Sequence, residues 1–154
     1  MAISSNTIVW FAGTQTEISS SQTTVANNVY QLCGASFTNT ANATDGAAVL
    51  KCQFDATMPT VGNLLLFARL MNIQSTNDAP VPDANYPHIL LGAFPIDYGV
   101  AADVDFYTCI PNFPFPRAVD AQVIDFYVLN NATGQTMGTG WQAWVSQFAL
   151  GPTA

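Results

Sequence analysis

The chain has 154 residues and a formal net charge of −7, with three Lys or Arg residues against ten Asp or Glu residues. Charged residues make up 8% of the sequence, whereas an ordinary soluble domain has about 25%. Clusters of Lys and Arg are needed to bind nucleic-acid phosphates or anionic membranes, so the sequence predicts no direct binding to either. Hydrophobic residues make up 49%, which argues against disorder and predicts a globular domain with a substantial core.

The beginning of the chain differs in composition from the rest. It is rich in Ser, Thr and Asn, with short apolar patches only. We predict that residues 1–45 form an N-terminal arm with peripheral strands and that residues 46–154 form a β-sandwich domain. For residues 23–32 a short helix is the alternative to a strand. The first ten residues lack a basic segment followed by a long apolar one, so no secretory leader is predicted.

Strand patterns become clear after residue 47. In residues 49–58 apolar and polar side chains alternate, which predicts a strand with one buried face. Residues 63–73 are apolar on both faces, which predicts a strand that is central or lies under a neighbouring subunit, with a short helix as the alternative. A turn is predicted at 111–116 because it contains three prolines. Further short strands are predicted at 88–94, 104–110, 122–129 and 140–148.

The last two predicted strands, 122–129 and 140–148, are expected to pair as an antiparallel hairpin that carries Trp141 and Trp144. Since these residues are three positions apart, a core position for Trp141 directs Trp144 outward. Many short strands and no helix-length amphipathic segment predict an all-β fold. The expected architecture is an antiparallel β-sandwich or jelly-roll-like domain with an extended N-terminal arm.

Few side chains suit catalysis or metal binding. His88 is the only histidine, which excludes a multi-His metal site, and its place at a strand start favours a structural role. Asp97, Asp103 and Asp105 are close in sequence, with the last two predicted on one strand face. A solvated strand end is favoured there over a cation site or a glycosidase pair. We therefore predict no enzyme activity, no catalytic residue, no metal and no cofactor.

The cysteines do not indicate a disulfide framework. Cys33, Cys52 and Cys109 are odd in number and far apart, and no CxxC spacing occurs. Each is predicted to be a small buried hydrophobic residue.

The scarcity of charge predicts surfaces that pack against other subunits, because permanent interfaces are depleted in charge and enriched in aromatic groups. The alternative is a soluble domain with a Thr- and Asn-rich surface. Aromatic side chains are the candidate contact residues. The candidates are Trp10, Phe11, Phe113, Phe115, Trp141 and Trp144.

Several motifs in the later part of the chain occur together in a known class of proteins. They are NDAPVP at 77–82, PHILLG at 87–92, PNFPFP at 111–116, FYVLNNATGQ at 126–135 and GW at 140–141. In these motifs the chain, over roughly residues 60–148, resembles small virion structural proteins of tailed bacteriophages, either head decoration (cement) proteins or tail components.

The resemblance implies a location and partners. It implies a capsid decoration protein that is made in the cytoplasm of the bacterial host and seated on the capsid surface. Such a protein forms a homo-oligomer, most often a trimer, and binds the major capsid protein to stabilise the head lattice. It supplies no functional residues to assign. The alternative function is a tail-associated receptor- or carbohydrate-binding module, and a glycoside hydrolase built on the paired Asp residues is a third hypothesis.

Overall fold

The computed structural model describes residues 8–12, 15–19, 23–39, 43–71, 78–86, 89–116 and 121–152. Within these residues the chain forms ten β-strands and no helix, which confirms the all-β prediction. The strands are β1 (Ile8–Ala12), β2 (Thr16–Glu17), β3 (Tyr30–Leu32), β4 (Phe37–Thr38), β5 (Asp45–Cys52), β6 (Asn63–Met71), β7 (Ile89–Phe94), β8 (Phe106–Pro114), β9 (Val123–Asn131) and β10 (Gln142–Pro152).

The strands form two antiparallel sheets that pack face to face, which confirms the β-sandwich. Sheet I has the order β1-β10-β5-β8, and β2 also pairs with β10. Sheet II has the order β3-β9-β6-β7, and β4 also pairs with β9. The described strands that precede β5 therefore lie at the β10 edge of sheet I and the β9 edge of sheet II. Strand β5 begins at Asp45, next to the predicted boundary at residue 46.

The core lies between the sheets and is built by alternation along the strands. In β5 every second residue is buried, as the period-2 pattern predicted. In β9 the predicted apolar face of Ile124, Phe126 and Val128 is fully buried. The Phe126 ring packs edge-on against Phe37 of β4, with centroids 5.9 Å apart. Burial of one such aliphatic or aromatic side chain stabilises a fold by roughly 1.5–3 kcal/mol.

The predicted hairpin of the last two strands is wrong. Strand β9 belongs to sheet II and β10 to sheet I, and the segment between them crosses from one sheet to the other. The crossing is anchored by the buried amide of Asn130, which donates to the carbonyl oxygens of Val25 (2.9 Å) and Gln135 (2.7 Å). Because β9 is apolar on both faces, it is stabilised as an inner strand of its own sheet, between β6 and the β3/β4 edge.

The predicted turn at 111–116 is also wrong, since β8 continues through Pro114. Prolines are tolerated because β8 is the edge of sheet I and the pairing with β5 is irregular between Gly46 and Ala48. Gly46 is required there: a Cβ atom at this position would overlap the Phe115 ring and lie 2.8 Å from the Phe113 ring. The rings of Phe113 and Phe115 thus pack directly against the backbone of Gly46, which has no side chain.

Three further predictions concern local structure. Of the predicted run 63–73, residues 63–71 form β6 rather than a helix, with a neighbouring strand on each side, and residues 72 and 73 lie outside the described residues. The described segment 23–32 contains no helix and ends in β3. The predicted strand at 49–58 stops at Cys52, and Phe54 adds only an isolated bridge to Met137.

Candidate contact surface

The acidic residues considered for catalysis or cation binding surround the turn before β8. Asp103 has a φ of 59° and precedes the strand, so the prediction that it shares a strand face with Asp105 is wrong. Asp97 accepts a hydrogen bond from the Gly99 amide at 3.0 Å, and Asp105 forms an ion pair with Lys51 at 2.7 Å. Among the described residues no three His, Cys, Asp or Glu side chains are placed to hold a metal ion.

The remaining residues considered for chemistry are the histidine and the thiols. His88 lies outside the described residues. Cys33 and Cys52 are buried as predicted, and burial raises the pKa of the Cys33 thiol and raises that of Cys52 to about 12. Cys109 is exposed on β8, so its predicted burial is wrong: alternation along this edge strand places it on the outer side of sheet I.

Three of the predicted contact aromatics lie in the core. Phe113 and Phe115 are buried and in contact, with ring centroids 5.3 Å apart, and Phe115 stacks on Phe37 at 5.5 Å. Trp141 is 1% exposed, and its indole Nε1 donates to the Thr23 carbonyl at 2.8 Å. These side chains hold the fold together, and a surface for partners has to be built from other residues.

Two other predicted contact residues, Trp10 and Phe11, are in the edge strand β1. Their backbone is in register with Leu150 and Ala149 of β10, and their side chains lie outside the described residues. The structure therefore places this pair of residues at an open edge of sheet I, apart from the other candidates.

Trp144 is on the outer face of sheet I, as expected once Trp141 is in the core. It is half-buried and lies in a cross-strand row with Val49 and Cys109. The next row contains Lys51 and Tyr107, whose side chain is 68% exposed. The outer face of sheet I is therefore a mixture of aromatic, small and charged groups, which is the usual composition of a solvated sheet face.

The outer face of sheet II is different, because it contains a second apolar cluster. Phe67, Tyr127 and Leu129 are buried there, on the side of the sheet that faces away from the core. The partly buried members that pack against them are Tyr30, Leu32 and Leu65. The Tyr30 ring lies 5.3 Å from that of Phe67, at a tilt of 60°. The outer faces of both inner strands of sheet II are thus apolar at Leu65, Phe67, Tyr127 and Leu129.

Arg69 closes one end of this outer cluster. Its Nη1 lies 3.5 Å from Asp125 and its Nη2 lies 3.9 Å from Asp78, while its Nε donates to the Ala79 carbonyl at 2.7 Å. Burial raises the pKa of Tyr127, and the neighbouring guanidinium opposes that shift. Arg69 is the only cationic residue described in sheet II, and its guanidinium is therefore already bound by carboxylates and by the segment 78–86.

Exposed apolar side chains continue the cluster to the end of sheet II. Four of the nine exposed large apolar side chains in the described residues fall between 81 and 90: Val81 (51%), Tyr86 (56%), Ile89 (40%) and Leu90 (53%). The Ala79 amide binds the Leu70 carbonyl at 2.9 Å, and Leu90 is paired with Phe67, so this group and the cluster adjoin. Ile89 pairs with the core residue Ala68 and so lies on the inner side of the sheet, and we call the outer cluster together with Val81, Tyr86 and Leu90 the contact surface.

None of the residues of the contact surface was among the six sequence candidates. One signal for the outer cluster was present in residues 63–73, whose apolar pattern predicted that both faces of the strand are covered. Tyr30 and Leu32 reach the cluster only because β3 pairs with β9, which no local pattern indicates. Among the described residues no helix is present that is long and apolar enough to cross a membrane. No protein-family model, no curated protein and no solved structure matches this chain.

Proposed function

We propose that this chain is a virion structural protein of a tailed bacteriophage, and within that class a capsid decoration protein. In this proposal it acts without catalysis, forms a homo-oligomer such as a trimer, and binds the major capsid protein at the capsid surface. The observation that carries the proposal is the contact surface: an apolar cluster on the outer side of a sheet, with three exposed apolar side chains beside it. The motif resemblance supplies the virion setting.

The physical argument concerns what such a surface does in water. Phe67, Tyr127 and Leu129 are already buried by the chain itself, so the part of the contact surface that a partner can cover is the exposed side chains beside them, and exposed apolar patches mark interaction sites. Apolar area removed from water contributes about 25 cal/mol per Å², so an interface of ordinary size gains stability chiefly from this kind of surface. Repetition of a modest contact at every lattice position then strengthens the whole shell, since linked contacts act together.

The proposal is tested on purified particles. We expect peptides of this chain in density-purified virions, in a stoichiometry close to that of the major capsid protein or a simple fraction of it. Removal of the chain should lower the temperature at which the heads release DNA. Detection only in the infected-cell lysate, and never in purified particles, would contradict the proposal.

A second candidate function rests on the outer face of sheet I. Tyr107 and Gln142 flank Lys51 in one cross-strand row, Trp144 lies in the next row, and Gln142 donates to Glu17 at 3.5 Å on the same face. Aromatic faces with amide and carboxylate groups between them suit stacking and hydrogen bonding to sugars, so this face is the candidate for a tail-associated receptor- or carbohydrate-binding module. Binding on a glycan array that is lost in Trp144→Ala, with the virion test negative, would favour this function over the first.

A further inference from the structure

The edge strands of the two sheets differ in how well they are protected against pairing with another chain. Edge β8 contains Pro111 and Pro114, which cannot donate to a new neighbour. One edge of sheet II is formed by β3 and β4, which are only three and two residues long, and its other edge is β7. Edge β7 has six residues, ILLGAF, without a proline or a charge. Edge strand β1 has five residues, IVWFA, and also contains no proline and no charged residue.

Strand β7 combines an open backbone with exposed apolar side chains. Within the part of the chain that the structure describes, its backbone hydrogen bonds go to β6 only. Its outer backbone groups therefore suit an extended strand as partner, because such a strand satisfies them in a regular ladder. Two adjacent residues, Ile89 and Leu90, are both exposed, so this end of the strand lacks cover on either face.

A bulge determines which residues of β7 face outward. Leu66 pairs with Gly92 and Phe67 pairs with Leu90, so Leu91 is the extra residue. Leu90 and Ala93 face outward, beside Phe67 and Leu65 of the outer cluster. On either side of the bulge Ile89 and Phe94 pair with the core residues Ala68 and Leu64 and thus face inward.

This pattern of faces is the same when read in either direction. Leu91 belongs to the main core and also faces inward, so from Ile89 the order is inward, outward, inward, inward, outward, inward. When two copies of β7 lie antiparallel with Ile89 opposite Phe94, inward residues meet inward ones and outward residues meet outward ones. A regular strand alternates strictly and matches β7 on one side of the bulge only. We infer that β7 pairs antiparallel with β7 of a second copy across a two-fold axis, with Leu90 opposite Ala93 of that copy.

Size and charge agree with the self-pairing. Leu90 meets the small Ala93 of the second copy and Leu91 meets Gly92, so in these four central positions a large residue opposes a small one, while Ile89 meets Phe94 at the two ends. The chain has a formal net charge of −7, and an uncharged strand lets two like-charged copies approach. Pairing joins two copies of sheet II into one sheet and brings their contact surfaces side by side. The inference rests on the proposed multi-copy assembly for its biological setting. Because a two-fold contact joins copies in pairs, it is separate from the contact that closes a trimer, and its test is independent of virions.

The test is a cross-linking experiment on the full chain, with Cys109→Ser as the background because Cys109 is exposed. Leu90→Cys and Ala93→Cys proteins are prepared separately, mixed in equal amounts and oxidised mildly. Opposed residues have Cα atoms about 4.5–5.5 Å apart, within disulfide range, so the mixture should give a covalent dimer in which about half of the pairs can react. Within one strand the two positions are about 10 Å apart and cannot be bridged.

The outcomes separate this inference from its rivals and from the proposed function. Each single variant oxidised alone should give far less dimer than the mixture, and Leu90→Lys should abolish self-association seen by analytical ultracentrifugation. Val61→Lys is the matched control, since Val61 is an exposed valine at the opposite end of β6 and should leave the association unchanged. Equal cross-linking in single variants and mixture, or association lost in Val9→Lys but not in Leu90→Lys, would overturn the β7 pairing. If the cross-link forms but the chain is absent from purified virions, the virion proposal is contradicted and the β7 pairing is not.

Discussion

The outer faces of the two sheets are built from opposite chemistry, although the sheets share one core. On sheet I the outer face has a half-buried Trp144, a strongly exposed Tyr107 and the ion pair of Lys51 with Asp105. On sheet II it has a buried apolar cluster around Phe67. The difference indicates that sheet I is suited to face water and sheet II to be covered, in part by its own chain.

The ion pairs on the two faces follow the same division. The side chains of Arg69 and Asp125 on sheet II are 17% and 10% exposed, whereas those of Lys51 and Asp105 on sheet I are 23% and 44% exposed. Asp125 also accepts a hydrogen bond from Ser36 at 2.6 Å. Removal of one partner should therefore destabilise the fold more at the less exposed pair, because less water can solvate the charge that remains.

The largest effect is expected from Phe67→Ala. Phe67 is buried although it faces away from the core, and its truncation should lower the free energy of unfolding by about 3 kcal/mol, the low end for buried Phe. Tyr107→Ala, on the outer face of sheet I, is the matched control and should change it by less than about 0.5 kcal/mol. Urea denaturation measures both. Similar losses for the two variants would remove the distinction between the faces.

Asp125→Asn should have the next largest effect. Removal of the carboxylate leaves Arg69 without its less exposed partner and weakens the bond from Ser36, so we expect a loss of about 1.5–3 kcal/mol. Added salt should reduce this loss only slightly, because partly buried pairs are weakly screened. A variant as stable as the parent would show that the segment 78–86 holds Arg69 by itself.

Local patterns explain what the sequence could predict, and pairing over long distances explains what it could not. The faces of β5, β6 and β9 follow from alternation within a few residues, and so does the outward position of Trp144. The separation of β9 and β10 into different sheets depends on partners far away in sequence, among them Val25, which binds the Asn130 amide. The outer cluster required the same information, because Tyr30 lies almost a hundred residues from its strand partner Leu129.

Cys109 reports on whether the outer face of sheet I stays open. In the native monomer we expect one thiol to react rapidly with a thiol reagent, since Cys109 is exposed while Cys33 and Cys52 are buried. Cys109→Ser should remove this reaction and change the unfolding free energy by less than about 0.5 kcal/mol. In assembled particles the thiol should remain reactive if sheet II makes the contacts. Protection on assembly would place a partner on sheet I instead.

Lys51→Met should have the smallest effect. The Asp105 carboxylate raises the pKa of Lys51 through their hydrogen bond, so any stabilisation by the pair is present below the unfolded-state pKa of 10.5 and is lost as the pH rises through the higher folded-state value. Water and salt screen this exposed pair, and the denaturation midpoint at neutral pH should be indistinguishable from that of the parent. A clear loss at neutral pH that persists in high salt would mean that the outer face of sheet I depends on Lys51 for packing. The two faces would then differ in composition but not in their contribution to the fold.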